Sequence, residues 1–241
     1  MAHPVYNQNL GLIGILAQSG TPTDCIVFIG ESSDFTLKAK FKEWDGTVEY
    51  STDHNTWTVW NGSEISSSGK KLYLRGSGNT TFYTSNGAKF VLSALAGCFG
   101  NLNTLLDYSN PPTALSASSC YEGMFYGCNK LTTAPALPAT TLAARCYNNI
   151  FYGCTKLTTA PALPATTLAD YCYRDMFNDC TAFKVSSTKT GTYQYSWRIP
   201  TSGTISSSPS NWNTNMLSNT GGTFTSNPSI NTTYYVENAP V

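Results

Sequence analysis

Charge is scarce in this chain. Only 12% of its 241 residues are Asp, Glu, Lys or Arg, and the two signs balance at 14 each. Nucleic acids and anionic membranes are held by a basic excess, so neither is expected as a partner. Histidine is almost missing: His3 and His54 are the two, and neither accompanies a Ser or Cys in a nucleophile motif. The carboxylates are scattered. Asp175 and Asp179, four apart, read as a solvated helix end rather than an acid–base pair. No glycine-rich phosphate loop occurs. These gaps argue against an enzyme, and no cofactor is expected.

Long apolar runs are also missing, which excludes membrane insertion through a helix. The first residues, "MAHPVYNQNLGLIGILAQSG", have no positive region, and Gly11 and Gly14 interrupt the apolar stretch Leu10–Ala17. They do not read as a secretory signal. If Met1 is the true start, the protein is expected to be made without an export signal of its own. "LPATT", at Leu137–Thr141 and Leu163–Thr167, lacks the terminal Gly and apolar tail of a sorting signal and lies mid-chain.

What the chain has instead is uncharged polarity, including 15 tyrosines, and a repeat. "LTTAPALPATTLA" stands at Leu131–Ala143 and again at Leu157–Ala169. Extended, the units run from Cys120 to Arg145 and from Cys146 to Tyr171, and they differ at six of 26 positions. A third copy begins at Cys172 and departs after "CYRDMFNDCTAF". A decayed copy precedes them, with Cys98 matching Cys128, and a faint one follows at Trp212–Ile230, where Met216-Leu217 stand for Met-Phe. A regular centre with degenerate ends is the pattern of stacked coils whose outer copies face water.

Within a unit, Leu142, Cys146, Ile150 and Cys154 recur every four residues, and Ala143, Tyr147 and Phe151 widen the apolar face. That spacing predicts a helix capped by Thr140 or Thr141 and ended near Gly153. Leu157–Ala160 reads as a short strand, and Pro161 and Pro164 as an extended return. The eight cysteines include two ladders, Cys120/Cys146/Cys172 and Cys128/Cys154/Cys180. Both fall on the inward face, so buried, unpaired thiols are expected. The C-x7-C spacing is two helical turns and not a metal knuckle, so no metal site is expected.

The pattern "CYxxMFxGCxxLTTAP.LPATTLA" resembles the BspA-like leucine-rich-repeat family in its 26-residue form, found in bacterial surface proteins and phage appendages. The likeness is strong over 93–183 and weak over 212–235. It implies a strand-and-helix solenoid and a role in adhesion, and it brings no catalytic residues.

The fold class expected is therefore α+β and β-rich, in four parts. Residues 1–34 form an N-terminal docking segment with "CIVFIG" as one strand. Residues 35–92 form a small β-sandwich-like domain, with "FTLKAKF", "TVEYS", "TWTVW", "KLYLRG", "TTFYT" and "KFVLS" as strands and Trp44, Trp57 and Trp60 as core. Residues 93–183 form the leucine-rich-repeat solenoid. Residues 184–241 hold a β-hairpin around "GTYQYSWRIP" and a capping repeat.

The outward helix face would then present Glu122, Tyr126, Arg145, Asn148, Asn149, Tyr152, Tyr171, Arg174 and Asp175. Tyrosines beside amides, carboxylates and guanidinium groups suit a sugar ring or a protein epitope. The function expected is non-enzymatic attachment: a phage fibre or appendage subunit, located in the virion, contacting a host cell-surface glycan or protein. Other virion subunits are expected partners through the N-terminal segment, and homo-oligomerisation stays open. A secreted bacterial adhesin and a purely structural decoration subunit are the alternatives.

Overall fold

A computed structural model describes residues 21–241. Its elements are β1 (Ile26–Gly30), β2 (Thr36–Ala39), β3 (Thr47–Ser51), β4 (Thr58–Val59), β5 (Ile65–Ser66), β6 (Lys71–Ser77), β7 (Phe90–Leu92), β8 (Ala96–Phe99), β9 (Leu131–Thr133), β10 (Val185–Ser186), β11 (Tyr195–Arg198) and β12 (Thr233–Val236). The only helix among the described residues is a single 3-10 turn, Leu102–Leu105. The α+β leucine-rich-repeat solenoid read from the sequence is therefore wrong. The described residues fold almost without helix, as short strands, turns and irregular loops.

The largest sheet has the order β4-β3-β6-β1-β8-β9. β1 is its centre, antiparallel to β6 on one side and β8 on the other. Alternation along β1 explains the placement. Ile26 and Phe28 enter the main core, while Val27 joins Phe99, Ile29 and Tyr73 in a small cluster on the other face. So "CIVFIG" supplies a central strand and not an appended one. The rest of the expected docking segment, residues 1–20, lies outside the described residues.

A second sheet, β5-β2-β7, shares the same core. Trp60 lies between the sheets, stacked on Trp44 at 5.3 Å and edge-on to Phe90 at 5.6 Å. Trp57, expected beside them, is half-buried on the outside and stands against Arg75. "TTFYT" is not a strand. Glu43 pins it as a loop, accepting from the backbone N–H groups of Thr84 and Ser85 and from the Ser85 hydroxyl at 2.9 Å. The large sheet does not end with these strands, because β8 pairs in parallel with β9 of the first repeat.

In place of the expected helices, each repeat has a run of overlapping turns, Ser118–Gly127, Ala144–Gly153 and Asp170–Asp179. The backbone is left-handed at every fourth residue: Ser119, Gly123 and Gly127, then Arg145, Asn149 and Gly153, then Tyr171, Asp175 and Asp179. A right-handed helix cannot contain such residues. Gly, Asn and Asp, which fill six of these positions, tolerate that conformation best.

Hydrogen bonding follows a two-residue alternation. In the middle coil the N–H groups of Asn148, Ile150, Tyr152 and Cys154 donate to carbonyls three residues back. Those of Arg145, Tyr147, Asn149, Phe151 and Gly153 donate to the next coil. A helix satisfies its backbone internally. Here half the donors need a neighbour, so a single coil is incomplete by itself. That dependence is the physical reason the sequence is written more than once.

Side chains stack in register. Tyr121, Tyr147 and Tyr173 form a buried column at 5.9 and 6.0 Å, and Phe125, Phe151 and Phe177 another at 5.6 Å per step. The Cys154 and Cys180 thiols donate to the Phe125 and Phe151 carbonyls of the preceding coils, at 3.0 and 2.9 Å. All eight cysteines are buried and unpaired. Beyond the turns the coils touch through parallel bridges, Thr133 to Thr159 and Thr141 to Thr167. The second copy makes this isolated bridge where a strand was expected.

The ends of the stack differ from the expected layout. Upstream, Ala96 pairs with Leu131, Asn101 with Ala136 and Ala114 with Thr141, so the decayed copy is not in the frame that matches Cys98 to Cys128. Phe82 and Phe90 then donate to the Cys120 and Met124 carbonyls, capping the first coil. Downstream, Tyr173, Asp175, Phe177 and Asp179 donate to Trp212, Thr214, Met216 and Ser218. Met216-Leu217 thus occupy the Met-Phe positions. The expected hairpin does not form: β10 and β11 both pair with β12, which lies between them.

Candidate functional site

The outward residues fall into three groups. In the first, Tyr126 and Tyr152 stack at 4.8 Å and nearly parallel, 5° apart. Both occupy the residue just before a left-handed glycine, Gly127 or Gly153, which turns the side chain out of the coil. The Lys89 ammonium sits 5.4 Å from the Tyr126 ring centre on the upstream side. On the downstream side the Asp179 carboxylate raises the Tyr152 pKa, first through a hydrogen bond and then through its charge. Asn219 fixes that carboxylate from the next coil, donating at 2.9 Å. The row therefore reads ammonium, ring, ring, carboxylate along the stack axis.

The geometry alters what this row can bind. Ring faces point along the stack and cover one another, so the outer surface shows ring edges and hydroxyls. Face-on stacking of a sugar, expected from the sequence, has no open ring face between Tyr126 and Tyr152. Hydrogen bonding through the hydroxyls and edge contact with an apolar group remain.

The second group is internal. Asn148 is 5% exposed and donates to Glu122 Oε1 of the preceding coil at 2.8 Å. It was read as outward, and the structure makes it a bond between coils. In the third group Tyr171 lies between two guanidinium groups, 5.6 Å from Arg145 and 5.3 Å from Arg174. Asp175, also read as outward, is 8% exposed and accepts from Arg174 Nε at 3.0 Å and Asn178 Nδ2 at 2.9 Å. Asn149 is half-buried at a left-handed position. Of the nine residues, Tyr126, Tyr152, Arg145, Tyr171 and Arg174 line the surface, with Glu122 at its margin.

Nothing in this strip is arranged for covalent chemistry. The cysteines beneath it are held protonated: burial pushes Cys128 up to about 11 and Cys172 up to about 12, and raises Cys146 and Cys154 as well.

A second aromatic group on the large sheet was missed. Arg75 lies 4.0 Å from the Trp57 ring centre and 4.2 Å from that of Tyr108, and its Nε donates to Glu49 at 2.8 Å. The alternating pattern of "KLYLRG" places Tyr73 and Arg75 on one face, which was the available signal; Tyr108 comes from a loop that no pattern marks. No helix among the described residues is long and apolar enough to cross a membrane. The chain matches no family model, no curated protein and no solved structure.

Proposed function

We propose that the protein is a non-enzymatic attachment protein, of the kind that its likeness to BspA-like repeat proteins implies, and that it serves in a virion as a fibre or appendage subunit. The observation that carries the binding reading is the Lys89–Tyr126–Tyr152–Asp179 row, in which Tyr126 is exposed and the other three are half-buried at the surface. A solvated surface has no need to fix two tyrosines in parallel between opposite charges. Fixed side chains lose little freedom on binding, which favours their use as anchors. Hydroxyls and edges flanked by charges of both signs fit a polar protein loop or the hydroxyls and charged groups of a cell-surface glycan, reached edge-on.

The test is binding of the fluorescently labelled chain to intact bacterial cells and to a glycan array. Replacing Tyr126 and Tyr152 together with Ala should remove binding while the chain stays cooperatively folded, since Tyr126 is exposed and Tyr152 lies half-buried outside the core. Unchanged binding by a folded double variant refutes the row as the attachment site. Binding only to its own particle, and to neither cells nor glycans, would make the chain a structural subunit.

A further inference from the structure

Both the beginning of β1 and the β3–β4 loop bring metal-binding side chains to one point. Cys25 precedes β1 and is wholly buried. Asp24 stands above it, and its Oδ1 lies 3.0 Å from His54 Nε2. The donor atoms of all three residues are within 4.8 Å of one another. His54 is held for this position. Its backbone is left-handed at φ 65°, and its N–H donates to Ser51 Oγ at 2.9 Å. Its ring stacks on Tyr73 at 5.1 Å and meets the edge of Trp57 at 5.9 Å. A non-glycine residue in that backbone region is uncommon, and here it aims the imidazole at the thiol and carboxylate.

We propose that Asp24, Cys25 and His54 form a zinc site, with the Cys25 sulfur as its floor, its thiol proton released to solvent as the ion binds, the carboxylate and imidazole as its rim, and a fourth position open to solvent. Tetrahedral zinc, with bonds of about 2.0 to 2.3 Å, separates its donor atoms by about 3.3 to 3.8 Å. Here the Asp24 and His54 donors lie 3.0 Å apart and all three donors within 4.8 Å, a spread on the scale of that polyhedron. One sulfur, one nitrogen and one oxygen select zinc over magnesium or calcium, which take oxygen ligands. Asp24 and His54 side chains are 41% and 37% exposed, so an ion can enter. Among the described residues, the cation whose charge acts on Cys25, Arg75, is paired with Glu49 at 2.8 Å. An ion here would tie the start of the central strand to the β3–β4 loop. This site is independent of the tyrosine row.

The experiment uses the full chain, freed of metal with a chelator and titrated with Co²⁺, whose thiolate complexes absorb in the near ultraviolet. A saturable thiolate-to-cobalt band, displaced by Zn²⁺, is expected. Cys25→Ser should abolish the band, and His54→Gln or Asp24→Asn should weaken Co²⁺ binding at least about tenfold. Zn²⁺ should raise the melting temperature of the native chain, and Mg²⁺ should not. The two rim variants change exposed side chains, so the test stands even if Cys25→Ser fails to fold. Absence of the band, or a band that both rim variants retain at native affinity, overturns the site and leaves a His–Asp pair above a buried thiol.

Discussion

At Asn149 the backbone is left-handed, φ 55°, and the matching residue of the preceding coil is Gly123. This position is governed by conformation. Asn149→Ala should therefore destabilise the protein by about 1 kcal/mol, and Asn149→Gly should leave it unchanged or slightly more stable, as read from urea unfolding midpoints. Equal losses in both variants would mean that the amide's contacts matter more than its backbone. Glu43 gives a second test. Its burial raises the pKa, but hydrogen bonds from Thr84 and Ser85 outweigh that and bring it from 4.5 to about 2. A depressed carboxylate contributes stability that is complete above its ordinary pKa and is lost as pH falls through the folded value. The urea midpoint should drop between about pH 5 and about pH 2, and Glu43→Gln should flatten that drop. Residue by residue, the sequence made Tyr126 and Tyr152 legible as outward. It misplaced Asn148 and Asp175, because a 100° helical wheel was applied to a chain that turns in units of four.

The repeat length, the two thiol ladders and the Met216-Leu217 position could all be read at the level of elements, since each depends only on which residues recur. The helix could not. An apolar residue every fourth position fits a helix and a run of four-residue turns equally well, and the left-handed Gly/Asn/Asp positions were the signal that separates them. One such position, before the second cysteine, was read as a helix end; its recurrence at Gly123, Asn149 and Asp175 argued for turns throughout. β5 and the β10-β12-β11 order were illegible because short strands are defined by partners distant in sequence. Removing residues 131–156, a whole period, should leave a soluble protein with cooperative unfolding. Each inward N–H group of the remaining coils still meets a carbonyl of the next one. Removing 13 residues joins a turn run to a strand and should leave an insoluble or non-cooperative chain. Similar unfolding of both would contradict the stack.

Across the whole molecule, one hydrophobic cluster runs from Ile26 to Val236, and the large sheet passes from the N-terminal strands into the first repeat. The sequence divided the chain at the change from alternating to repeating pattern, yet β1 and β8 pair across that change. Cysteines report on this continuity, since Cys25 and Cys98 belong to the large sheet's end and the other six line the coils. Alkylation in a metal-free buffer, followed by peptide mass spectrometry across a urea series, should find all eight protected in the native state. They should become reactive together, at one midpoint shared with the loss of circular dichroism and with no reductant needed. Burial holds each thiol protonated, so reaction waits for opening of the core rather than for local pKa. Two midpoints, with Cys25 and Cys98 separated from Cys146 and Cys154, would show that the sheet and the coils unfold as distinct units. Thiols that react only after reduction would show disulfides, which the coil stacking described here does not contain.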